Sequence, residues 1–203
     1  MENISTSVIE LMQSVSYPIK ILILSLFSFA EGLPVIGTIL PGGTIALLAG
    51  GLSSQGVLIS PFVVAVVVGT AGFLGDMVGF FLGRKFRNIS WISNLVTHEK
   101  YKKSWDLFDR HLAMVTIFGK LLPVVRSTPS LFAAIKGVRT RRYMVYSLIG
   151  SYLWGFAGVY AGNIFTQYFG PKFIGIILVV LVGSVLVISI RALIKRKINL
   201  TKV

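Results

Sequence analysis

The stretch EGLPVIGTILPGGTIALLAGG, residues 31–51, interrupts a long apolar region with one acid, two prolines and six glycines. A charged side chain in hydrocarbon costs about 2.5 to 3.5 kcal/mol on insertion scales. Non-helical backbone at membrane depth is tolerated only where protein buries it or water reaches it. The stretch therefore predicts a broken, re-entrant hairpin over about 31–52. Four of its residues are expected to line or shape a cavity: Glu31, Pro34, Pro41 and Gly42. The alternative is a kinked structural helix with Glu31 near the interface.

A second stretch, GKLLPVVRSTPSLFAAIKG at residues 119–137, repeats this arrangement. When Pro123 is aligned with Pro34, each has a leucine before it and a valine after it. A second proline, Pro129 in this copy, precedes a small apolar run and a glycine. Paired apolar segments interrupted by Gly and Pro point to a transport site at a repeat interface. A second re-entrant hairpin is predicted over about 113–137.

Composition places the chain in the membrane. Of its 203 residues, 54% are hydrophobic, which is typical of an integral membrane protein and fits a single domain. Absence of Cys excludes disulfides and Cys-ligated zinc. The first 17 residues lack the basic region of a signal peptide, so no cleaved signal is expected. The net charge of +13 lies mostly on loops beside apolar spans, which indicates anionic lipid headgroups and not nucleic acid as the partner.

The predicted architecture is an all-α, polytopic helical bundle with two opposed re-entrant hairpins in an inverted repeat. An amphipathic, interfacial segment at 1–17 precedes a membrane domain at 18–165, which contains a polar cytoplasmic segment at 84–112. A final transmembrane helix and a basic cytoplasmic tail occupy 171–203. Further spans are expected from Pro61 to Arg84 and from Tyr143 to Phe165.

Charge predicts the topology. If both hairpins return to their starting side, 15 of the 20 Lys and Arg residues fall on one face. The positive-inside rule then places that face and both termini in the cytoplasm. The first hairpin enters from outside and the second from inside, so that their tips face each other near the midplane.

The span after Pro61 carries a glycine stripe and one acid, Asp76. Glycines at 69, 72, 75, 79 and 83 form a small-residue face that suits either internal packing or a homodimer. Asp76 is either an interfacial acid paired with Arg84 or Lys85, or a second membrane acid near Glu31. Arg84 is counted as a supporting charge.

The second hairpin holds two cations, Lys120 and Arg126, which are candidates for a phosphate site. A guanidinium offers planar, multidentate donors that suit phosphate or carboxylate. The alternative is that Glu31 neutralises Lys120 or Arg126 as a buried pair. The two roles, phosphate binding and ion pairing with Glu31, are compatible if the pair opens for an anionic ligand or when Glu31 takes up a proton. Glu31 and Asp76 are thus the candidate proton or gating residues.

Enzyme motifs are missing from the sequence, and no enzyme activity, metal or cofactor is expected. HExxH, GxSxG and GxxxxGK[ST] do not occur. His98 and His111 lie in the polar segment and are expected at the surface. Ser127 and Ser130 near Lys120 form only an unspecific Ser–Lys arrangement.

Four segments, in order, resemble the DedA family of VTT-domain membrane proteins over about residues 25–165. They are FAEGLPVIGTILPGGTIALLAGGLSSQG, GTAGFLGDMVGFFLGRKF, FGKLLPVVRSTPSLFAAIKG and GSYLWGFAGVYAG. The resemblance implies functional roles for Glu31, Asp76, Arg84 and Arg126. Lys120 stands where the family pattern has Arg. Gly43 stands where many members have a second acid.

The resemblance implies lipid handling in a bacterial cytoplasmic membrane. The expected function is transport of an anionic lipid, undecaprenyl phosphate above all, either with or without coupling to protons. The alternatives are an energy-independent phospholipid scramblase, a proton-coupled small-solute or cation transporter, and a scaffold without transport.

Overall fold

The computed structural model describes residues 2–34, 36–39, 43–86, 110–122, 126 and 128–183. Its helices are α1 (Glu2–Ser14), α2 (Tyr17–Gly32), α3 (Ile36–Ile39), α4 (Thr44–Ser54), α5 (Pro61–Phe86), α6 (Leu112–Phe118), a 3₁₀ helix (Gly119–Leu121), α7 (Thr128–Ile135), α8 (Thr140–Phe169) and α9 (Lys172–Gly183). These described residues contain no strand, and the all-α prediction is confirmed.

The first hairpin is built from α2 and α4, which run antiparallel. Lys20, near the start of α2, donates a 3.2 Å hydrogen bond to the carbonyl of Val57, just beyond α4. The helix α2 ends before Leu33. Gly43, the residue before α4, has a φ of 93°, a conformation that favours glycine. The first arm of this hairpin, α2, begins at Tyr17, before the predicted start at residue 31, and Glu31 lies inside that arm.

The helix α5 has 26 residues and is about 39 Å long, enough to cross a bilayer. Among the described residues it is the one helix that is both long and apolar enough to do so. The span predicted from Pro61 is therefore confirmed as a helix. Three shorter apolar helices accompany it: Thr44–Ser54, Leu112–Leu121 and Lys172–Gly183.

The helix α8 is longer than the span predicted from Tyr143 to Phe165. It begins at Thr140 and ends at Phe169, so that Arg141 and Arg142 lie in its first turn. It also buries polar side chains, among them Ser147 and Ser151, along its inner face.

Both hairpin tips touch α5 at its glycine stripe. A Cβ atom at Gly75 would collide with the carbonyl of Phe29 in α2. A Cβ atom at Gly79 would lie 2.6 Å from Cδ of Pro34 and 3.0 Å from Oγ of Ser130, at the start of α7. The stripe thus packs within the chain, which is one of the two roles predicted for it. The homodimer stays a prediction.

The second arm of each hairpin, α4 in the first and α7 in the second, packs on one of the long helices α5 and α8. In α4, a Cβ atom at Gly50 would collide with the carbonyl of Val159 in α8. On α5, Gly83 faces Ala134 of α7. Close backbone approach at these glycines fixes both hairpins against the α5–α8 pair.

The two ends of the bundle differ in charge. At the end of α5, Arg84 donates hydrogen bonds of 2.7 Å to Oγ1 of Thr140 and 2.9 Å to the carbonyl of Val138. The basic connections therefore lie at this end, while Lys20 and the start of α2 lie at the other. The prediction that the N-terminal segment shares the side of the basic connections is not supported at the α1–α2 junction.

Parts of the predicted organisation lie outside the described residues. These are residues 87–109 of the polar segment and residues 184–203 of the last span and basic tail. The amphipathic segment at 1–17 forms a helix as expected, but its Ile9 and Met12 pack against the main hydrophobic core. An interfacial position for α1 stays a prediction.

Candidate functional site

Four charged side chains are buried where the hairpin tips meet. Glu31 lies in the last turn of α2, Asp76 in α5, Lys120 in the 3₁₀ helix and Arg126 in the tip before α7. None of the four is more than 3% exposed. The sequence prediction of a membrane-embedded charge cluster is met by four residues from four different elements.

The first ion pair joins Lys120 to Asp76. The ammonium group of Lys120 also donates to Oγ of Ser151 at 2.6 Å and to the carbonyl and Oγ of Ser147 at 2.7 and 3.0 Å. The hydroxyl of Ser147 in turn donates to Oδ2 of Asp76 at 2.9 Å. All three ammonium protons therefore have acceptors, and the pair is held by α5 and α8 together.

The second ion pair joins Arg126 to Glu31. The backbone amides of Gly43, the residue before α4, and of Ile45, in its first turn, lie near this carboxylate. Its Oε1 atom is nevertheless buried without a hydrogen bond in proper geometry to any described residue. On the other side, the guanidinium of Arg126 stacks on Trp154, with Cζ 3.5 Å from the ring centroid.

The two pairs are neighbours. Lys120 lies close enough to Arg126 for their charges to interact directly. Gly32, next to Glu31, packs on the backbone of Asp76. The result is one cluster of two cations and two anions, whose formal charges cancel.

The structure selects between the pairings that the sequence left open. Asp76 bonds to Lys120 and not to Arg84, because α5 turns Asp76 toward α8 and the 3₁₀ helix while Arg84 reaches the start of α8. Of the two partners proposed for Glu31, the structure selects Arg126. Arg84 joins α5 to α8 and lies outside the cluster.

The predicted prolines divide into two groups. Pro34 packs on Gly79, and Pro129 is buried near the start of α7. Three predicted positions, Pro41, Gly42 and Pro123, lie outside the described residues.

Sequence reasoning missed three residues of α8 as parts of the site: Ser147, Ser151 and Trp154. Their spacing of four and three residues places them on one helix face, and that periodicity was readable in the sequence. Their partners were not readable, since Lys120 and Arg126 come from a distant part of the chain.

The described residues contain no group of three or more His, Asp or Glu side chains suited to hold a metal ion. His111 is exposed just before α6, as expected, while His98 lies outside the described residues. The site provides two ion pairs together with the serine hydroxyls that hydrogen-bond to one of them.

Comparison with known proteins identifies the family. The family model described as the VTT domain matches residues 40–164, which is more than half of the chain. The chain belongs to the VTT-domain, or DedA, family of membrane proteins. The match includes both buried ion pairs except for Glu31, which precedes it.

Curated relatives are bacterial membrane proteins. Protein DedA of Escherichia coli K12 is 27% identical over 147 residues, which cover 70% of this chain and 67% of DedA. Inner membrane protein YghB of the same strain is 28% identical over 130 residues, covering 62% and 58%. A Buchnera aphidicola membrane protein is 29% identical over 147 residues, covering 70% and 55%. The chain thus spans little more than half of the length of the last two. No solved structure matches it.

Proposed function

We propose that this protein moves an anionic lipid across the bilayer, with a polyprenyl phosphate such as undecaprenyl phosphate as the substrate. The observation that carries the proposal is the Glu31–Arg126 pair, buried where the two hairpin tips meet. A guanidinium neutralised by a single carboxylate is a site where a phosphate group can replace that carboxylate.

In this proposal the hairpins are re-entrant and form an inverted repeat. The first enters the bilayer from the end that carries Lys20, and the second enters from the end that carries Arg84. Their tips meet on α5 near Gly79, between the two ends of the helix. This is the arrangement in which a substrate site lies at the repeat interface near the midplane.

The cluster is electrically neutral, which supports a resting state of the protein without bound substrate. Each buried cation has an acid partner, so the site is stable without substrate. An incoming phosphate takes the place of the Glu31 carboxylate on Arg126, with Lys120 as the second cation close by. Protonation of Glu31 then removes the displaced negative charge and couples transport to protons, while the lipid tail stays in the bilayer.

The test is headgroup flipping in proteoliposomes, with undecaprenyl phosphate compared with phosphatidylglycerol in the presence and absence of a pH gradient. We expect selective, gradient-dependent flipping of the polyprenyl phosphate that Arg126→Ala abolishes. Lys85→Gln removes an exposed cation and is the matched control, expected to flip at the wild-type rate.

Other outcomes select other functions. Equal, gradient-independent movement of both lipids identifies a scramblase. Movement of neither lipid rejects lipid transport and directs the next assay to small solutes and cations. Wild-type flipping by Arg126→Ala removes the role given to this guanidinium.

A further inference from the structure

A second positively charged site lies at the beginning of α8, apart from the buried cluster. Arg139, Arg141, Arg142, Val145 and Tyr146 line an open cavity of about 380 Å³. All three arginines are exposed, and Arg142 lies over the ring of Tyr146, with Cζ 5.8 Å from the centroid. Neither buried ion pair uses any of these five residues.

The charges in this cavity have no acid to balance them among the described residues. The first turn of α8 contains no acid. The structure describes four acids. Glu31 and Asp76 form the buried ion pairs, and the other two belong to α1. Arg84 brings a fourth guanidinium to Thr140 in the same turn.

The position of these cations is unfavourable for the helix itself. The N-terminal end of a helix carries a partial positive charge and favours anions, not cations. Among the described residues, these three arginines at the beginning of a 30-residue helix therefore add to its positive end with no acid in the same turn. An anion bound in the cavity reduces the repulsion among the arginines and also their repulsion from the positive end of the helix.

An apolar face continues directly from the cavity. Val145 shares one side of α8 with Arg141, four residues before it, and with Leu148 and Ile149, three and four residues after it. The three apolar members are between 40% and 49% exposed. A charged cavity that opens onto an exposed apolar stripe matches a molecule with an anionic head and a hydrocarbon chain.

We infer that this surface binds one anionic lipid, with its phosphate among Arg139, Arg141 and Arg142 and its hydrocarbon chain along Val145, Leu148 and Ile149. Basic pockets beside transmembrane helices are known to hold anionic headgroups. Ser147 follows Tyr146 directly, so the bound headgroup lies one to two helical turns from the Lys120–Asp76 pair. Resting on the proposed transport function, this surface is where the lipid waits before it enters the cluster.

The experiment measures binding to the full chain in detergent by native mass spectrometry, with dioctanoyl phosphatidylglycerol, dioctanoyl phosphatidylcholine and glycerol phosphate as probes. We expect the first to bind more tightly than the other two. The Arg141→Gln/Arg142→Gln variant should bind it about 30-fold more weakly, from roughly fivefold for each cation at a membrane surface. Lys85→Gln removes one charge from the same end and should change binding less than threefold.

Two results overturn the inference. One is unchanged phosphatidylglycerol binding in the double variant, and the other is glycerol phosphate binding as tight as that of the lipid, which would make the apolar stripe irrelevant. Arg141→Lys/Arg142→Lys keeps the charges and should retain most of the binding, which separates loss of charge from misfolding. Flipping of undecaprenyl phosphate reports on the proposed transport, and phosphatidylglycerol binding reports on this surface, so failure of transport and failure of this site are distinguished.

Discussion

The Asp76–Lys120 pair and the Glu31–Arg126 pair are equally buried, yet they differ in how fully their polar atoms are bonded. The ammonium group of Lys120 has acceptors for all its protons, from Asp76, Ser147 and Ser151. In the other pair, the amides of Gly43 and Ile45 lie near the carboxylate, but Oε1 of Glu31 has no hydrogen bond in proper geometry to a described residue, and the guanidinium of Arg126 stacks on the ring of Trp154.

The difference separates a structural pair from an exchangeable one. A fully bonded polar network fixes the helices that carry it, whereas a buried oxygen without a donor is destabilising. Exchange of a carboxylate for a phosphate is easiest where the carboxylate is poorly held. We therefore assign the Asp76–Lys120 pair to holding α5, α8 and the second hairpin together, and the Glu31–Arg126 pair to substrate exchange.

The largest expected effect is on stability, from Asp76→Asn. This change leaves the Lys120 ammonium buried without its counter-charge, and breaking a buried pair at one partner costs about 3 to 5 kcal/mol. The free energy of unfolding, measured by denaturation in detergent, should fall by that amount. Asp76→Leu/Lys120→Met, which removes both charges, should recover most of the loss. A single variant as stable as the wild type would contradict the structural assignment.

Glu31→Gln should cost less, about 2 kcal/mol, which is within the range for a hydrogen bond to a charged group. Arg126 keeps its contact with Trp154 in this variant, and the amide of Gln remains an acceptor. Transport should lose its pH dependence, because the group proposed to take up the proton is gone. The measurement is the flipping rate against pH beside the unfolding free energy. An unchanged pH profile would rule out proton coupling through Glu31.

Trp154→Leu tests the aromatic side of the exchangeable pair. A desolvated cation–π contact contributes up to about 2 kcal/mol, so the loss of unfolding free energy should be about 1.5 kcal/mol. The guanidinium of Arg126 also loses its fixed orientation, and the apparent affinity for the lipid should fall together with stability. Trp154→Phe keeps a ring face and should restore both in large part. Equal behaviour of the Leu and Phe variants would show that the stacking has no role.

The sequence predicted the charged members of the site better than their partners. Glu31, Asp76, Lys120 and Arg126 are recognisable because charge is rare in apolar segments, and the structure buries all four. Which acid meets which base depends on how the hairpins pack on α5 and α8, and no local pattern encodes that. Asp76 and Arg84 share a helix, yet backbone approach at the glycine stripe turns one to the cluster and the other to Thr140.

The hairpin boundaries show the same limit. Pro and Gly located the break between α2 and α4, since their backbone preferences are local. The role of α2 as a hairpin arm was missed, because a helix that crosses the membrane and one that turns back have the same apolar sequence. The contact of Lys20 with Val57, which joins positions 37 residues apart, shows that α4 returns to the end at which α2 begins.

The smallest effects come from two buried serines, one beside each ion pair. Ser151 accepts a 2.6 Å hydrogen bond from Lys120, so Ser151→Ala should cost about 1 kcal/mol. Ser28, in α2 one turn before Glu31, is fully buried and its hydroxyl has no hydrogen-bond partner among the described residues. Ser28→Ala should therefore be neutral or slightly stabilising, because it removes an unsatisfied polar atom. Thermal unfolding of both variants measures the difference, and an equal loss in the two would mean that the Glu31 side of the cluster is as fully bonded as the Asp76 side.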